Sequence, residues 1–162
     1  MSLVLFLLSP FLFIAGVPPF SSFGIHFVFG MFLFWGRKRS LIEHALGGTM
    51  VGIVLDTYSV LPFGTHVVSF MLLSLFTWLC KVFLKHRYIW GDISIIGGGL
   101  VVSEVLVPAV AWFFGYMTNA GWISGEAALW KIASIAVVTF FCWLLLRYEY
   151  SYRAPSRLLY QR

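Results

Sequence analysis

The chain has 162 residues, of which 60% are hydrophobic and 19% aromatic, while charged residues make up only 10%. A soluble domain carries about a quarter charged residues, so this composition excludes an ordinary water-facing surface and points to lipid as the solvent. The net charge of +5 comes from Lys and Arg at the edges of apolar stretches rather than from a basic patch with exposed aromatics, so no nucleic-acid partner is expected.

Six apolar stretches follow in chain order: Leu3 to Val17, Phe20 to Trp35, Leu41 to Leu61, Val67 to Leu84, Ile93 to Phe114 and Ala127 to Leu146. A bilayer crossing takes about 20 apolar residues, and the last four stretches meet that length. The first two are short and joined by Pro18-Pro19, which suits either tilted spans or a re-entrant hairpin. The first stretch lacks a positive start and a good cleavage site, so it is expected to stay in the mature protein.

If the chain starts in the cytoplasm, Arg37, Lys38, Arg39, Lys81, Lys85, Arg87, Arg147, Arg153, Arg157 and Arg162 all fall on the cytoplasmic side. Of the 11 Lys and Arg residues only Lys131 is left outside, which is the positive-inside pattern of an even number of crossings. The expected fold is therefore all-α: a polytopic integral membrane protein, a bundle of about six transmembrane helices with both termini cytoplasmic. Residues 1–146 form the single transmembrane domain and residues 147–162 a basic cytoplasmic tail. That tail reads as a juxtamembrane anchor on anionic lipid or as a docking peptide. The longest outer connection, GYMTNAGWISGE, suits a turn in the interfacial aromatic belt.

In the third stretch Ala45, Gly48, Gly52 and Asp56 recur at three- and four-residue steps, so one helical face is small and polar, with Thr49 beside it. Gly48 and Gly52 make a Gly-x-x-x-Gly arrangement that lets another helix come close. Met50, Ile53, Val54 and Leu55 are assigned to the opposite, greasy face. Glu43 and His44 read as interfacial residues beside Arg37, Lys38 and Arg39.

An ionised carboxylate in hydrocarbon costs on the order of 3 kcal/mol, so it must be paired, wet or protonated. Asp56 lies roughly 7 Å below the outer end of its helix at about 1.5 Å per residue, and Lys131 lies at a matching depth in the sixth stretch. The two are expected to approach one another. His66, after the Pro62-Phe63-Gly64 turn, is expected to cap the fourth helix or bridge to Asp56, with metal binding or proton transfer as the other reading. A lone His with one carboxylate is not a metal site. Glu104, near the midpoint of the fifth stretch, is either a protonated acid bonded to a neighbouring helix or part of an ion or substrate path. Pro108 removes the hydrogen bond to the Glu104 carbonyl.

Cys80 and Cys142 lie near the cytoplasmic ends of their helices, outside any Cys-x-x-Cys pair, and read as packing residues. No Gly-x-Ser-x-Gly, His-Glu-x-x-His or phosphate-binding loop occurs, so neither an enzyme nor a metal or other cofactor is expected.

Residues 47 to 79, GGTMVGIVLDTYSVLPFGTHVVSFMLLSLFTWL, resemble the core of the rod shape-determining protein MreD family: Gly-x-x-x-Asp at Gly52 to Asp56, a Pro-Phe-Gly turn, then His66 opening the next helix. Chain length and the order of six hydrophobic segments also fit; the short first two stretches depart from the pattern. The resemblance implies a non-catalytic scaffold of the bacterial cell-wall elongation machinery, multi-pass in the inner membrane. Its partners would be a bitopic MreC-like protein, an MreB-like actin homologue, a RodA-type polymerase and its transpeptidase, besides membrane lipid. Gly48, Gly52, Asp56, Pro62, Gly64 and His66 would then form a structural or interaction motif. The alternative is a substrate-binding membrane subunit of an energy-coupling-factor type vitamin or small-solute transporter, whose helical fold is similar. The Ala-x-x-x-Ala docking pattern of those subunits is missing from FLLSPFLFIAGV.

Overall fold

The computed structural model of the protein describes residues 20–83, 89–115 and 125–158. These form five helices, α1 (Phe20–Gly36), α2 (Leu41–Tyr58), α3 (Thr65–Phe83), α4 (Ile89–Phe113) and α5 (Gly125–Leu158), with no strand among the described residues. Among the described residues three segments are long and apolar enough to cross a membrane: Thr65–Phe83, Ile89–Phe113 and Leu129–Ser151. They mark the chain as an all-helical membrane protein.

The expected count of six crossings does not follow. The third stretch becomes α2, an 18-residue helix that is not among the three because Glu43, His44, Asp56 and its glycines dilute its apolar content. The second becomes α1, which at 17 residues is shorter than each of those three segments. The first stretch, the Pro18-Pro19 link and most of the outer connection lie outside the described residues. At the other end, α5 continues unbroken from residue 146 into residue 147 and on to Leu158.

Local chemistry sets the helix limits. Ser40 caps α2 through a capping box: its hydroxyl accepts from the Glu43 amide at 3.3 Å, and the Glu43 carboxylate accepts from the Ser40 amide at 3.4 Å. Two orphan donors are thereby satisfied at once. The end of α1 is closed from a distance, because Lys81 of α3 donates to the carbonyls of Gly36 at 2.6 Å and Arg39 at 2.8 Å. An ammonium is favoured there, where unpaired carbonyls and the helix dipole concentrate negative charge. Between α2 and α3 the carbonyl of Pro62 accepts from both the amide (3.1 Å) and the hydroxyl (2.7 Å) of Thr65.

Helices α2 and α3 form a hairpin that packs through α3 on α4, and α4 forms a second group with α1 and α5. In the hairpin, α2 crosses α3 at Gly52, where a Cβ would stand 2.5 Å from the Cα and 2.7 Å from the amide nitrogen of Val67. At Gly48 the small side lets Phe32 and Phe70 approach. In the second group α1 and α5 run parallel with α4 antiparallel to them, packing Leu33, Ile96, Leu100, Val138, Cys142 and Leu146 into a fully buried centre. Gly99 of α4 receives Leu33 directly. Phe70 joins the groups by stacking on Phe29 at 4.4 Å between ring centroids.

Two expectations for α2 change. Leu55 is buried with Gly48, Gly52 and Asp56, while Met50, Ile53 and Val54 are exposed, because the buried stripe is one residue wider than the small-residue pattern alone indicates. His44 is fully buried rather than interfacial, its ring stacked on Phe32 at 4.0 Å and set against Trp35. The close approach of α1 at Gly36 shuts it in.

Candidate functional site

The sequence motif folds into one hydrogen-bonded turn. Asp56, buried at the end of α2, reaches across the connection to the start of α3. Its Oδ2 accepts from the amides of Gly64 at 2.8 Å and Val67 at 3.2 Å. Its Oδ1 accepts from the His66 amide at 2.9 Å and stands 2.7 Å from His66 Nδ1. Gly64 holds φ +99°, a conformation that side-chain-bearing residues resist, and this aims its amide at the carboxylate. The amides of His66 and Val67 belong to the first turn of α3, where donors lack intrahelical partners and negative charge is favoured.

A carboxylate offers about four lone-pair sites, and all four are taken. The Asp56 carboxylate therefore has no valence left for a metal, a substrate or Lys131. His66 donates from Nδ1, since a carboxylate only accepts. Gly48, Gly52, Asp56, Pro62, Gly64 and His66 thus come together as architecture: the two glycines bring the helices close, and the rest close the turn.

The expected approach of Asp56 and Lys131 is not observed. Lys131 pairs with Glu104 instead, Nζ to Oε2 at 2.7 Å. Matching depth alone could not distinguish the helices, and α5 packs on α4 and α1 rather than on the hairpin. Glu104 Oε1 in turn lies 2.5 Å from Nε2 of His26 in α1. The other ring nitrogen, Nδ1, is 2.7 Å from the hydroxyl of Ser134, which also reaches the carbonyl of Lys131 at 2.8 Å. His26 is 2% exposed, whereas the side chains of Glu104 and Lys131 are 26% and 46% exposed. A polar chain drawn from three helices thus runs from the buried interior to an accessible edge.

At the opposite end of the same three helices lies a second cluster. The Arg37 guanidinium, buried after α1, donates to Asp92 Oδ2 of α4 at 3.0 Å and also pairs with Glu149 of α5. Lys38 pairs with Glu149 as well, and the Tyr150 hydroxyl donates to Asp92 at 3.3 Å. The side chain of Arg37 also lies over Phe34.

Sequence reasoning missed His26, Ser134, Asp92 and Glu149. A signal for His26 was present: it is the lone ionisable residue of the second apolar stretch, and an ionisable group in such a place asks for a partner. Asp92 and Glu149 carried none, since each sits at a stretch edge where charge is ordinary. No group of three or more metal-ligating side chains occurs among the described residues. Cys142 is buried in the centre and Cys80 half-buried, both as free thiols.

Comparison with protein families, with curated proteins and with solved structures finds no match.

Proposed function

We propose that the protein is a non-catalytic scaffold of the bacterial cell-wall elongation machinery, resident in the inner membrane, whose lipid-facing helices bind the transmembrane helices of partner proteins. The reading rests on the resemblance of residues 47 to 79 to the MreD family. The supporting observation is the saturation of Asp56: the charged residue of that motif serves the turn and is not offered to a reactant. In this reading the chain crosses the membrane six times with both ends in the cytoplasm. The surface for a partner helix is the outer face of α2, where Ile42, Leu46, Met50 and Ile53 are exposed at three- and four-residue steps opposite Gly48 and Gly52. An apolar row of that spacing is what a neighbouring helix packs against. The partners in this reading are a bitopic MreC-like protein, and through it an MreB-like filament protein and a RodA-type polymerase with its transpeptidase.

The test is affinity capture in mild detergent followed by mass spectrometry, for the native chain and for a Leu46→Gln, Met50→Gln variant. Recovery of a single-span partner with the native chain, and its loss with the variant at equal accumulation, is expected. Recovery of no single-span protein refutes the scaffold. If thermal stability instead rises with an added small solute, as selective binding to the folded state requires, the transporter-subunit reading replaces it.

A further inference from the structure

We infer that His26, Glu104 and Ser134 form a proton-binding site that takes up one exchangeable proton without leaving any of its polar atoms unpaired. The inference stands apart from the scaffold reading and rests on counting hydrogens along the chain of contacts.

Consider the site with a neutral His26. Nε2–H donates to Glu104 Oε1, Nδ1 accepts from the Ser134 hydroxyl, and Lys131 Nζ donates to Glu104 Oε2. The carboxylate and the ammonium cancel, so the side chains carry no net charge. Now add one proton at Nδ1. The ring then donates from both nitrogens, to Glu104 and to the Ser134 oxygen, and the net charge becomes +1. The hydroxyl hydrogen of Ser134 is displaced from Nδ1 but has another acceptor, the Lys131 carbonyl at 2.8 Å. A hydroxyl rotates freely to suit its neighbours. A buried polar group left unpaired costs about 1–3 kcal/mol, and this arrangement avoids that penalty in both protonation states.

Access is one-sided. Glu104 and Lys131 are partly exposed, while on the side toward Arg37 the site is closed by Leu33, Leu100 and Val138, all buried. Among the described residues, the charged groups facing His26 are Glu104 from α4 and Lys131 from α5. From α3, His66 is taken up by Asp56, and from α2, His44 is stacked on Phe32. In the proposed orientation the open side faces outward, so acidity outside the membrane would place a second positive charge beside Lys131, at the point where α5 meets α1 and α4.

The experiment uses the full chain with isotope-labelled histidine in nanodiscs of zwitterionic lipid, with ring-nitrogen NMR from about pH 8 to about pH 5, the range in which imidazole charge changes. His26→Gln identifies the His26 signals. His26 is expected to pass from the Nε2–H tautomer to the imidazolium, with the signals of His66 in the Asp56 turn reporting an intact fold. At a fixed pH within the transition, Lys131→Met is expected to raise the ratio of imidazolium to neutral ring about threefold or more, and Glu104→Gln to lower it, since a like charge disfavours and an opposite charge favours the charged ring. Lys131 is half exposed, so its removal leaves the fold standing and decides the matter even where Glu104→Gln fails to fold. A His26 that stays in one form throughout, or a Lys131→Met variant with an unchanged or lower imidazolium fraction, overturns the inference.

Discussion

Replacing Asp56 by Asn tests whether the charged residue of the turn holds structure. The carboxylate accepts from three amides, of Gly64, His66 and Val67, and from the His66 ring. The Asn carbonyl oxygen can stand in for one carboxylate oxygen and keep its two donors. Its amino group turns to the His66 side, where the ring can shift its proton to Nε2 and accept at Nδ1, so the His66 amide alone loses its acceptor. Leaving a buried donor unsatisfied costs about 1–3 kcal/mol, so Asp56→Asn is expected to destabilise by about that amount. Asp56→Ala strands all four and is expected to cost more. A folded domain is stable by only about 5–15 kcal/mol, so the effect is large enough to measure by SDS titration of unfolding in mixed micelles. Hydrogen exchange localises it: the His66 amide should lose protection first. The reasoning is refuted if Asp56→Asn unfolds with the native chain and that amide stays protected. Asp56 would then matter through something other than the turn.

The helix crossing should tolerate Gly48→Ala better than Gly52→Ala. A methyl at Gly52 meets the backbone of Val67 at 2.5 Å, which cannot rotate away, whereas at Gly48 it meets the ring tip of Phe32 at 2.9 Å and the Phe70 Cβ at 3.1 Å; overpacking costs about 1–3 kcal/mol, and the same unfolding titration should place Gly52→Ala at the upper end. Arg37→Ala leaves Asp92 and Glu149 without their shared guanidinium, and breaking a buried pair costs about 3–5 kcal/mol. Arg37→Lys should recover little, because an ammonium is a point charge that lacks the fork reaching both carboxylates; unfolding titrations of both variants check this, and full recovery by Lys would refute it.

What could be read before folding was whatever depends on neighbours along the chain. The small-residue steps from Gly48 to Asp56 fixed a face, Pro62 and Gly64 marked the turn, and His66 followed at a distance that a carboxylate one turn from the helix end can span. Each of these is local, and each appears in the structure. The partner of Lys131 depends instead on which helices are adjacent, and nothing in depth or hydropathy ranks the hairpin above α4 as its neighbour. His44 shows the same limit. Its place beside Glu43 and a basic cluster reads as interfacial, and only the approach of α1 at Gly36 encloses it. Leu55 likewise became buried because the contact between α2 and its neighbours is wider than the glycine stripe.

The two polar clusters of α1, α4 and α5 have a joint consequence that neither has alone. In lipid there is little hydrophobic drive between helices, so close packing and polar contacts decide which helices meet and at what offset. The cluster at one end draws on Arg37, Asp92 and Glu149, and the other on His26, Glu104 and Ser134. Along α1 they are separated by roughly 16 Å and along α4 by roughly 18 Å, at about 1.5 Å per residue. The spacings agree to within the reach of the side chains. Sliding α1 past α4 by one turn, about 5.4 Å, would unpair both ends at once, although Leu33, Leu100 and Val138 between them would find apolar neighbours at either offset. The apolar belt thus supplies contact, and the two ends select the alignment. Each cluster balances its charges, with Arg37 and Lys38 against Asp92 and Glu149, and Lys131 against Glu104. That balance allows both to sit among helices where an unpaired charge would be costly.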